Sequence, residues 1–251
     1  MPLHVTWYDN AAFKVTYGNK TLWFDPAINK NPGSPIKTTD LKERADYVLT
    51  THGDPGHFVN SVEVTQKTDA LFLSIGEVCD DVLNQKQLPD ERVVYLNFGE
   101  NKINDDIDVF VFEPEHPEMT EEIMKMMKQW GRLITKNGGF VVRIKNLTLC
   151  HMGDAVYSDI FTEVGRRFKI DIGLIPIMGV SKGSPPKEAA ASGVKILQAL
   201  KPAIVFPVVQ HSTQKERVEA LIEAMEPLSL KIKIIFDKPG TEHIFSEYSP
   251  N

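Results

Sequence analysis

The sequence predicts an α/β fold in which two mixed β-sheets pack face to face and helices cover their outer faces. Short apolar runs open the chain as a β-meander, and strands alternate with helices from residue 46 onward. Hairpins recur at residues 12–24 and 139–150. Sheets of this kind need helices on their outer apolar faces, which gives an αββα layering. No linker rich in Gly, Ser or Pro divides the 251 residues, so we expect a single domain over residues 1–251.

Strands are predicted where apolar and β-branched residues form short runs between turn residues. The Gly18-Asn19 step separates two runs rich in Val, Thr and aromatic residues, which is typical of a two-residue hairpin turn. The predicted strands are 3–7, 12–17, 21–24, 47–50, 70–73, 93–96, 107–112, 139–144, 147–150, 172–176, 203–206 and 231–235.

Helices are predicted from their start signals and from apolar residues at three- and four-residue steps. Capping-box spacing occurs three times, at Asn60 with Glu63, Ser74 with Glu77, and Thr213 with Glu216. Ser184-Pro185 and Thr120 indicate two further helix starts. The second of these opens an apolar, methionine-rich stretch over residues 119–134, which we interpret as a helix packed on the core. A lid or a contact between copies in a homo-oligomer is the alternative for this stretch.

Composition excludes several classes of protein. The formal net charge is 28 − 34 = −6, which argues against nucleic acid or an anionic membrane as the main partner. Only Cys79 and Cys150 are present, so a disulfide framework is excluded, and both are interpreted as core thiols. The first twenty residues carry no secretion pattern, and no apolar run approaches the ~18 residues of a membrane span. We therefore expect a cytoplasmic enzyme or binding protein with a small-molecule partner.

Histidines and an aspartate recur just beyond the ends of predicted strands, at His52, His57, His116, Asp154 and His211. Loops at strand ends are places where a rigid sheet aims side chains into a shared cleft. Imidazole nitrogens suit zinc, iron or manganese, and a carboxylate adds compensating charge and can bridge two ions. Spacing by itself leaves open a scatter of unrelated polar loop histidines.

Several motifs occur in an order that resembles the metallo-β-lactamase superfamily. T-H-G-D-P-G-H at residues 51–57 is similar to the family loop H-x-H-x-D-H, which follows a strand. The other matching segments are T-W-Y-D-N-A-A-F at 6–13, F-D-P at 24–26, P-E-H at 114–116, H-M-G-D at 151–154 and F-P-V-V-Q-H at 206–211. The resemblance covers nearly the whole chain. It points to small metal-dependent hydrolases similar to ascorbate-6-phosphate lactonases.

The resemblance implies a role for each matching position. It makes His52 and His116 ligands of a first metal, Asp154 a carboxylate shared by two metals, and His57 and His211 ligands of a second metal. It also makes Asp25 a residue that steadies the signature loop. His151 is interpreted as a buried residue that helps to orient the ligands, with substrate contact as the alternative.

Three positions depart from the family pattern. Asp54 stands where the family has its second histidine, Gly56 where it has an aspartate, and Asn10 where it has a histidine in the opening turn. Asp54 can still donate an oxygen, so a first site of two histidines and two aspartates is chemically complete. Oxygen in place of nitrogen moves the preference from zinc toward manganese or ferrous iron. The second site loses a carboxylate at Gly56, so one or two divalent ions are expected.

The resemblance implies a hydrolase that activates water with a bound metal and acts on an ester, lactone, amide or phosphoester. Asp54 and Asp154 are the expected catalytic carboxylates, and Asn10 and Lys182 are the expected substrate-binding residues. Lys182 lies in the stretch G-V-S-K-G-S between a strand and a helix, where it could hold an anionic group. The altered signature loop supports an alternative, namely a catalytically impaired relative that acts as a metal- or ligand-binding module.

Overall fold

Two seven-stranded mixed sheets make up the centre of the computed structural model, which describes residues 1–118, 121, 124–125, 136–181 and 183–245. The first sheet has the strand order β14-β1-β2-β3-β4-β5-β6, and the second has the order β13-β12-β11-β10-β9-β8-β7. The strands are β1 Leu3–Trp7, β2 Phe13–Tyr17, β3 Lys20–Phe24, β4 Tyr47–Thr50, β5 Leu71–Ile75, β6 Val93–Leu96, β7 Gly99–Lys102, β8 Ile107–Phe112, β9 Gly139–Ile144, β10 Leu147–His151, β11 Ile172–Pro176, β12 Ile204–Val208, β13 Lys233–Ile234 and β14 Glu242–Phe245.

Each sheet combines an antiparallel half with a parallel half. In the first sheet β1, β2 and β3 are antiparallel neighbours, and β3 through β6 run parallel. In the second sheet β7 through β10 are antiparallel neighbours, and β10 through β13 run parallel. Gly18 makes the tight turn between β2 and β3 with a φ of 61°, a conformation that costs glycine little. The mixed sheets and both predicted hairpins are therefore confirmed.

Six α-helices in the described residues complete the layers. They are α1 Pro55–Phe58, α2 Ser61–Thr68, α3 Gly76–Asn84, α4 Ile160–Arg167, α5 Pro186–Leu200 and α6 His211–Met225. Helices α2 and α3 pack against the parallel strands β4, β5 and β6 of the first sheet. Helix α5 connects the parallel strands β11 and β12, and it packs against both α4 and α6. These contacts confirm the α/β class, and the two sheets with outer helices give the αββα arrangement.

The core lies between the two sheets. Strands β4, β11 and β12 are buried at every position, as expected for parallel strands covered on both faces. Phe13 of β2 meets Phe206 of β12 with ring centroids 6.1 Å apart, and it also contacts His151 of β10. Cys79 and Cys150 are buried free thiols, as predicted. Phe13 therefore packs the first sheet against two strands of the second.

Some local predictions differ from the structure. Strands β7 and β14 were not predicted, because they are short and largely polar. Asn60 precedes α2, but its side chain accepts a hydrogen bond from the backbone of Asn29 instead of capping the helix. Helix α6 begins at His211, two residues before the predicted Thr213 cap. The Thr120 cap and most of the 119–134 stretch lie outside the described residues. Within the described part of the chain, no helix combines the length and the hydropathy needed to cross a bilayer.

Candidate metal centre

Strands β3, β4, β8 and β10 end at the same edge of the sandwich, and the polar loops that carry the predicted site residues begin there. His52 and Asp54 follow β4, and Asp25 follows β3. His116 follows β8, and Asp154 follows β10. The edge beyond the carboxyl ends of parallel strands is the usual place for ligands in open α/β sheets. The sequence expectation that these loops converge is therefore met at this edge.

Four of the predicted ligands form one cluster. One nitrogen or oxygen atom from each of His52, Asp54, His116 and Asp154 lies within 4.8 Å of the other three. Nε2 of His116 is 3.9 Å from Oδ2 of Asp54 and 3.8 Å from Oδ2 of Asp154. Nε2 of His52 is 3.7 Å from Oδ2 of Asp54. Ligand atoms that each lie about 2.1 Å from one ion are about 3.4 Å apart in tetrahedral geometry, so these separations suit a shared cation.

The hydrogen bonds of His116 test whether a cation fits. Its Nδ1 lies 2.7 Å from the backbone carbonyl oxygen of Pro117, so Nδ1–H must donate there. In the neutral ring Nε2 then carries a lone pair, and this lone pair faces the carboxylates of Asp54 and Asp154. A lone pair beside two carboxylates is unfavourable unless a cation lies between them. A backbone carbonyl that holds the second ring nitrogen is the usual support of a metal-binding histidine.

His52 supports the same conclusion. Its Nδ1 lies 2.9 Å from Oγ1 of Thr51, and its Nε2 is buried without a hydrogen-bond partner among the described residues. A buried polar atom without a partner calls for an explanation, and coordination of a metal ion by this nitrogen is a suitable one. The cluster therefore has two nitrogen and two oxygen donors in an arrangement that fits a divalent cation.

Asp25 is the buried carboxylate that organises the loops around the cluster. It accepts hydrogen bonds from the backbone N–H of Thr51 at 2.7 Å and from the Thr51 hydroxyl at 2.7 Å. Its Oδ2 also lies 2.8 Å from Nδ1 of His57 and 2.6 Å from Nε2 of His151. Burial opposes the charge of Asp25, but His151 and His57 outweigh burial and hold the pKa of Asp25 far below its ordinary value. Asp25 is thus in contact with His151 and with the loop that carries His52, and the supporting roles of Asp25 and His151 stay a prediction.

His57 links Asp25 to the cluster. The short helix α1 begins with Pro55 after Asp54, and its first turn directs His57 back toward the strand ends. Nδ1 of His57 is 2.8 Å from Asp25, and Nε2 is 3.1 Å from Oδ1 of Asp154. Burial lowers the pKa of His57, but Asp154 and Asp25 outweigh burial and raise it to about 10. Its role as a ligand of a second metal stays a prediction.

Asp154 is positioned by its own loop. Gly153 has a φ of 60°, and a Cβ at that residue would lie 2.6 Å from the Thr51 hydroxyl. The Asn137 side chain donates a hydrogen bond of 2.6 Å to the backbone oxygen of Asp154. A glycine is therefore required at residue 153, where the loop after β10 meets Thr51. The buried side-chain amide of Asn137 holds the backbone of Asp154, which carries the carboxylate.

His211 is not brought to the cluster. Its backbone N–H donates to Asp9, and its ring lies against Trp7 and Phe236, with centroids 6.0 Å and 5.1 Å away. His211 is the first residue of helix α6, and its imidazole lies against these two aromatic rings. The structure places the imidazole of His211 outside the cluster of four ligands, and its role as a ligand of a second metal stays a prediction. The neighbouring Gln210 lines the cavity beside the cluster instead.

A cavity of about 340 Å³ opens beside Asp54, His57 and Asp154. Asn10 lines it and donates a hydrogen bond of 3.3 Å to the backbone oxygen of Gly56, and its role in substrate binding stays a prediction. Lys182 lies outside the described residues. The sequence interpretation missed the lining residues Lys30, Asn31, Met178, Gln210 and Gln214. Only the position of Gln210, just after a predicted strand, could have indicated one of them.

Comparisons with known proteins agree with this arrangement. Residues 4–209 match the family model described as a Beta-lactamase superfamily domain. A relative in Archaeoglobus fulgidus named UPF0173 metal-dependent hydrolase is 26% identical over 252 residues, which cover 98% of this chain and 100% of the relative.

Solved structures have the same fold. Igni18, described as a novel metallo hydrolase from Ignicoccus hospitalis, has a TM-score of 0.76 at 20% identity, with 99% of this chain and 100% of that chain covered. An isothiocyanate hydrolase from Delia radicum gut bacteria has a TM-score of 0.66 at 19% identity, with 96% and 99% covered. Because the family model spans most of the sequence and the motifs of that family lie together at one edge of the sandwich, the chain belongs to the metallo-β-lactamase superfamily.

Proposed function

We propose that this protein is a metal-dependent hydrolase whose divalent cation is held by His52, Asp54, His116 and Asp154. The observation that carries the proposal is the convergence of these four side chains, from three separate loops, within 4.8 Å of one another. When bound, such an ion supplies a Lewis acid and a water molecule of lowered pKa. Two nitrogen and two oxygen donors suit zinc, manganese or ferrous iron.

The protein side chains would bind the substrate and manage protons. Asp54 and Asp154 both line the cavity, so a carboxylate is available to accept a proton where the substrate enters. His57 is hydrogen-bonded to Asp154 and to Asp25, so it fixes the orientation of Asp154. Asn10 presents a carboxamide to the same space. We propose a small molecule with an ester, lactone, amide or phosphoester bond as the substrate; a cytoplasmic location and a homo-oligomer stay predictions.

A binding module without turnover is the second candidate, and Gly56 favours it. A glycine next to His57 contributes no carboxylate to the cavity, so one group that could move a proton is missing. Turnover distinguishes the two candidates, because a binding module holds the metal but hydrolyses nothing.

Metal content tests the proposal. The chain is stripped with a chelator, reloaded separately with Zn²⁺, Mn²⁺ or Fe²⁺, dialysed and measured by inductively coupled plasma mass spectrometry. We expect about one ion per chain for the unmodified protein and much less for His116→Gln and Asp54→Asn. His4→Gln and Asp105→Asn are matched controls, because His4 pairs with Glu242 at the sheet edge and Asp105 is exposed. No bound metal in the unmodified chain would reject the site.

Hydrolysis is then measured on the metal-loaded protein with a panel of esters, lactones, amides and phosphodiesters. Turnover that requires the metal and is lost in His116→Gln supports the hydrolase. Metal binding without turnover on the whole panel supports the binding module instead.

A further inference from the structure

We infer that this chain holds one divalent ion and not two, and that the cavity beside His57 receives an uncharged acyl substrate. The inference rests on the proposed metal-dependent function and deepens it, because it states how many ions the site takes and which substrate class enters. Four features of the described residues carry it: the donor set, the commitments of His57, the position of His211 and the chemistry of the cavity wall.

The donor set is sufficient for one ion. Among the described residues, the only group of three or more potential protein ligands consists of His52, Asp54, His116 and Asp154. A catalytic zinc-type site takes three or more protein ligands. A second ion would therefore have to share Asp154 and find at least two further donors on the side of the cavity.

His57 offers at most one of these donors. Its Nδ1 is held by Asp25 at 2.8 Å, so only Nε2, which lies 3.1 Å from Asp154, faces the cluster. His211 offers none in this arrangement, because its ring packs against Trp7 and Phe236. A second ion beside His57 and Asp154 would thus lack a third strong protein ligand.

The cavity wall carries side-chain carboxamides where a second metal ion would need carboxylate or imidazole ligands. Asn10, Asn31, Gln210 and Gln214 line the space, and Gly56 has only its backbone there. A neutral carboxamide oxygen is a weaker ligand for zinc, manganese or iron than a carboxylate or an imidazole. The described wall is therefore built to make hydrogen bonds and not to bind a second cation.

These carboxamides are held in fixed positions. Asn31 donates to the backbone oxygen of Asp9 at 2.8 Å, and Asn10 donates to Gly56 at 3.3 Å. The backbone N–H of Gln210 donates to Oε1 of Gln214 at 2.9 Å, which leaves the Gln214 NH₂ group to donate elsewhere. Preorganised amide groups bind carbonyl and hydroxyl groups of a ligand at little entropic cost.

The charge balance favours a neutral substrate over a phosphoester. Asp54 and Asp154 lie at the cavity, and one divalent ion would offset these two negative charges. Apart from His57, whose two ring nitrogens are hydrogen-bonded to Asp25 and Asp154, Lys30 is the one cationic side chain among the described lining residues, and it is exposed. Sites for phosphoryl groups are usually richer in cations. An ester, a lactone or an amide therefore suits this cavity better than a phosphodiester.

The number of ions is measured on the full chain without any substrate. Native mass spectrometry and calorimetric titration with Mn²⁺ and with Zn²⁺ should each give one ion per chain. Electron paramagnetic resonance of the Mn²⁺ form should show an isolated ion. Two ions per chain, or a spin-coupled Mn²⁺ pair, would overturn the inference but leave the proposed function intact. An absence of bound metal would reject the proposed function and, with it, this inference.

A gain-of-binding variant gives a second test. Gly56→Asp with Gln210→His adds a carboxylate and an imidazole to the cavity, and we expect it to take up a second ion. A Cβ at Gly56 would meet only the flexible side chain of Asn10, at 3.2 Å, so the substitution can be accommodated. Circular dichroism checks the fold, and Gln210→His by itself serves if the double variant does not fold. A variant that folds and takes up no second ion would show that the missing ligands do not explain a one-ion site.

The substrate class is tested with Gln214→Leu. We expect kcat/KM for ester, lactone or amide substrates to fall about tenfold, mainly through KM, because one hydrogen bond to the substrate is lost. Gln198→Leu is the matched control, since Gln198 is exposed on α5 and outside this cavity. Phosphodiesters hydrolysed in preference to acyl substrates, or acyl kinetics unchanged in Gln214→Leu, would overturn the assignment of the cavity.

Discussion

Asp9 accepts a hydrogen bond of 2.8 Å from the backbone N–H of His211, although 202 positions separate the two residues. The second oxygen of Asp9 accepts one of 3.0 Å from the backbone of Gly33, and its carbonyl accepts one from Asn31. A single buried residue thus joins three chain segments. These segments also carry Asn10, Asn31 and Gln210 to the wall of the cavity.

Replacement of Asp9 should therefore destabilise the protein. Asp9→Ala removes the acceptor of two half-buried backbone N–H groups, those of Gly33 and His211, and loss of a hydrogen bond to a charged group costs about 1.5–3 kcal/mol. Asp9 also has a φ of 74°, which Asn tolerates better than Ala. We expect the free energy of unfolding in urea to fall in the order unmodified, Asp9→Asn, Asp9→Ala. Asp105→Ala, at an exposed position, is the control, and equal loss in all three variants would contradict a role for the buried carboxylate.

Asp25 should matter for both stability and metal binding. Asp25→Asn removes the negative charge that lies 2.8 Å from the His57 ring nitrogen and 2.6 Å from the His151 ring nitrogen. It also places an NH₂ group, which can only donate, beside groups that donate hydrogen bonds to Asp25. Loss of one member of a buried charged network costs about 3–5 kcal/mol. Loss of a group that orients a ligand weakens metal binding by about 10- to 100-fold. Urea unfolding of the metal-free protein and metal titration of the loaded protein measure the two effects separately. A metal affinity that stays unchanged would remove Asp25 from the support of the site.

Much of the site could be predicted from the sequence because it depends on local patterns. Each strand that ends near the cluster is an apolar run bounded by turn residues, and the residue just beyond such a run must lie at the sheet edge. Asp25, His52, Asp54, His116 and Asp154 all follow such runs. Their convergence on one site was implied by the resemblance to the metallo-β-lactamase superfamily, because spacing by itself leaves open a scatter of unrelated loop histidines.

The remaining features depend on contacts between distant segments. His211 also follows a strand, but a tertiary hydrogen bond to Asp9 and the rings of Trp7 and Phe236 set its orientation. The carboxamides of Asn31 and Gln214 come from a loop and a helix with no special pattern, and only the fold makes them neighbours. Asn60 has the spacing of a helix cap, but Asn29 competes for its side chain. Sequence spacing does not reveal which hydrogen-bond partner such a side chain takes in the folded protein.

The metal-free protein should lose stability at alkaline pH through His57. The pKa of His57 is raised from 6.5 to about 10 in the folded state by Asp154 and Asp25, which outweigh burial. A raised pKa means that the stabilisation is complete below about pH 6.5 and disappears as the pH rises toward about 10. The difference in the free energy of unfolding between the unmodified protein and His57→Gln should therefore shrink between these pH values. A difference that is constant over this range would contradict the assignment of the charge to His57.

Saturating metal should flatten this pH dependence. A cation in the cluster interacts with the Asp154 carboxylate, which otherwise favours protonation of His57 at 3.1 Å. The same urea titrations with and without excess Zn²⁺ measure the change. Identical pH profiles in both conditions would argue that no cation reaches Asp154.

The two cysteines should be unreactive in the native protein. Burial raises the pKa of Cys79 to about 12 and raises that of Cys150 as well, so little thiolate is present at pH 8. Both side chains are also inaccessible to reagents. A chromogenic disulfide reagent should therefore label neither thiol in buffer and both thiols in denaturant. Rapid labelling without denaturant would show that one of the strands or helices that carry them opens readily.

The packing of α4 against α5 gives a test of the fold far from the metal cluster. A Cβ at Gly165 would clash with the backbone oxygen of Ala199 and lie 2.8 Å from its carbonyl carbon, so two helix backbones would have to separate. Overpacking of this kind costs about 1–3 kcal/mol. Gly76→Ala is the matched control, because a Cβ there meets nothing within 4 Å at the start of α3. Thermal unfolding should show a lower midpoint for Gly165→Ala and little change for Gly76→Ala. A midpoint of Gly165→Ala equal to that of the unmodified protein would mean that α4 and α5 do not pack as closely as the structure places them. A similar decrease in both variants would point to a general effect of the added methyl group.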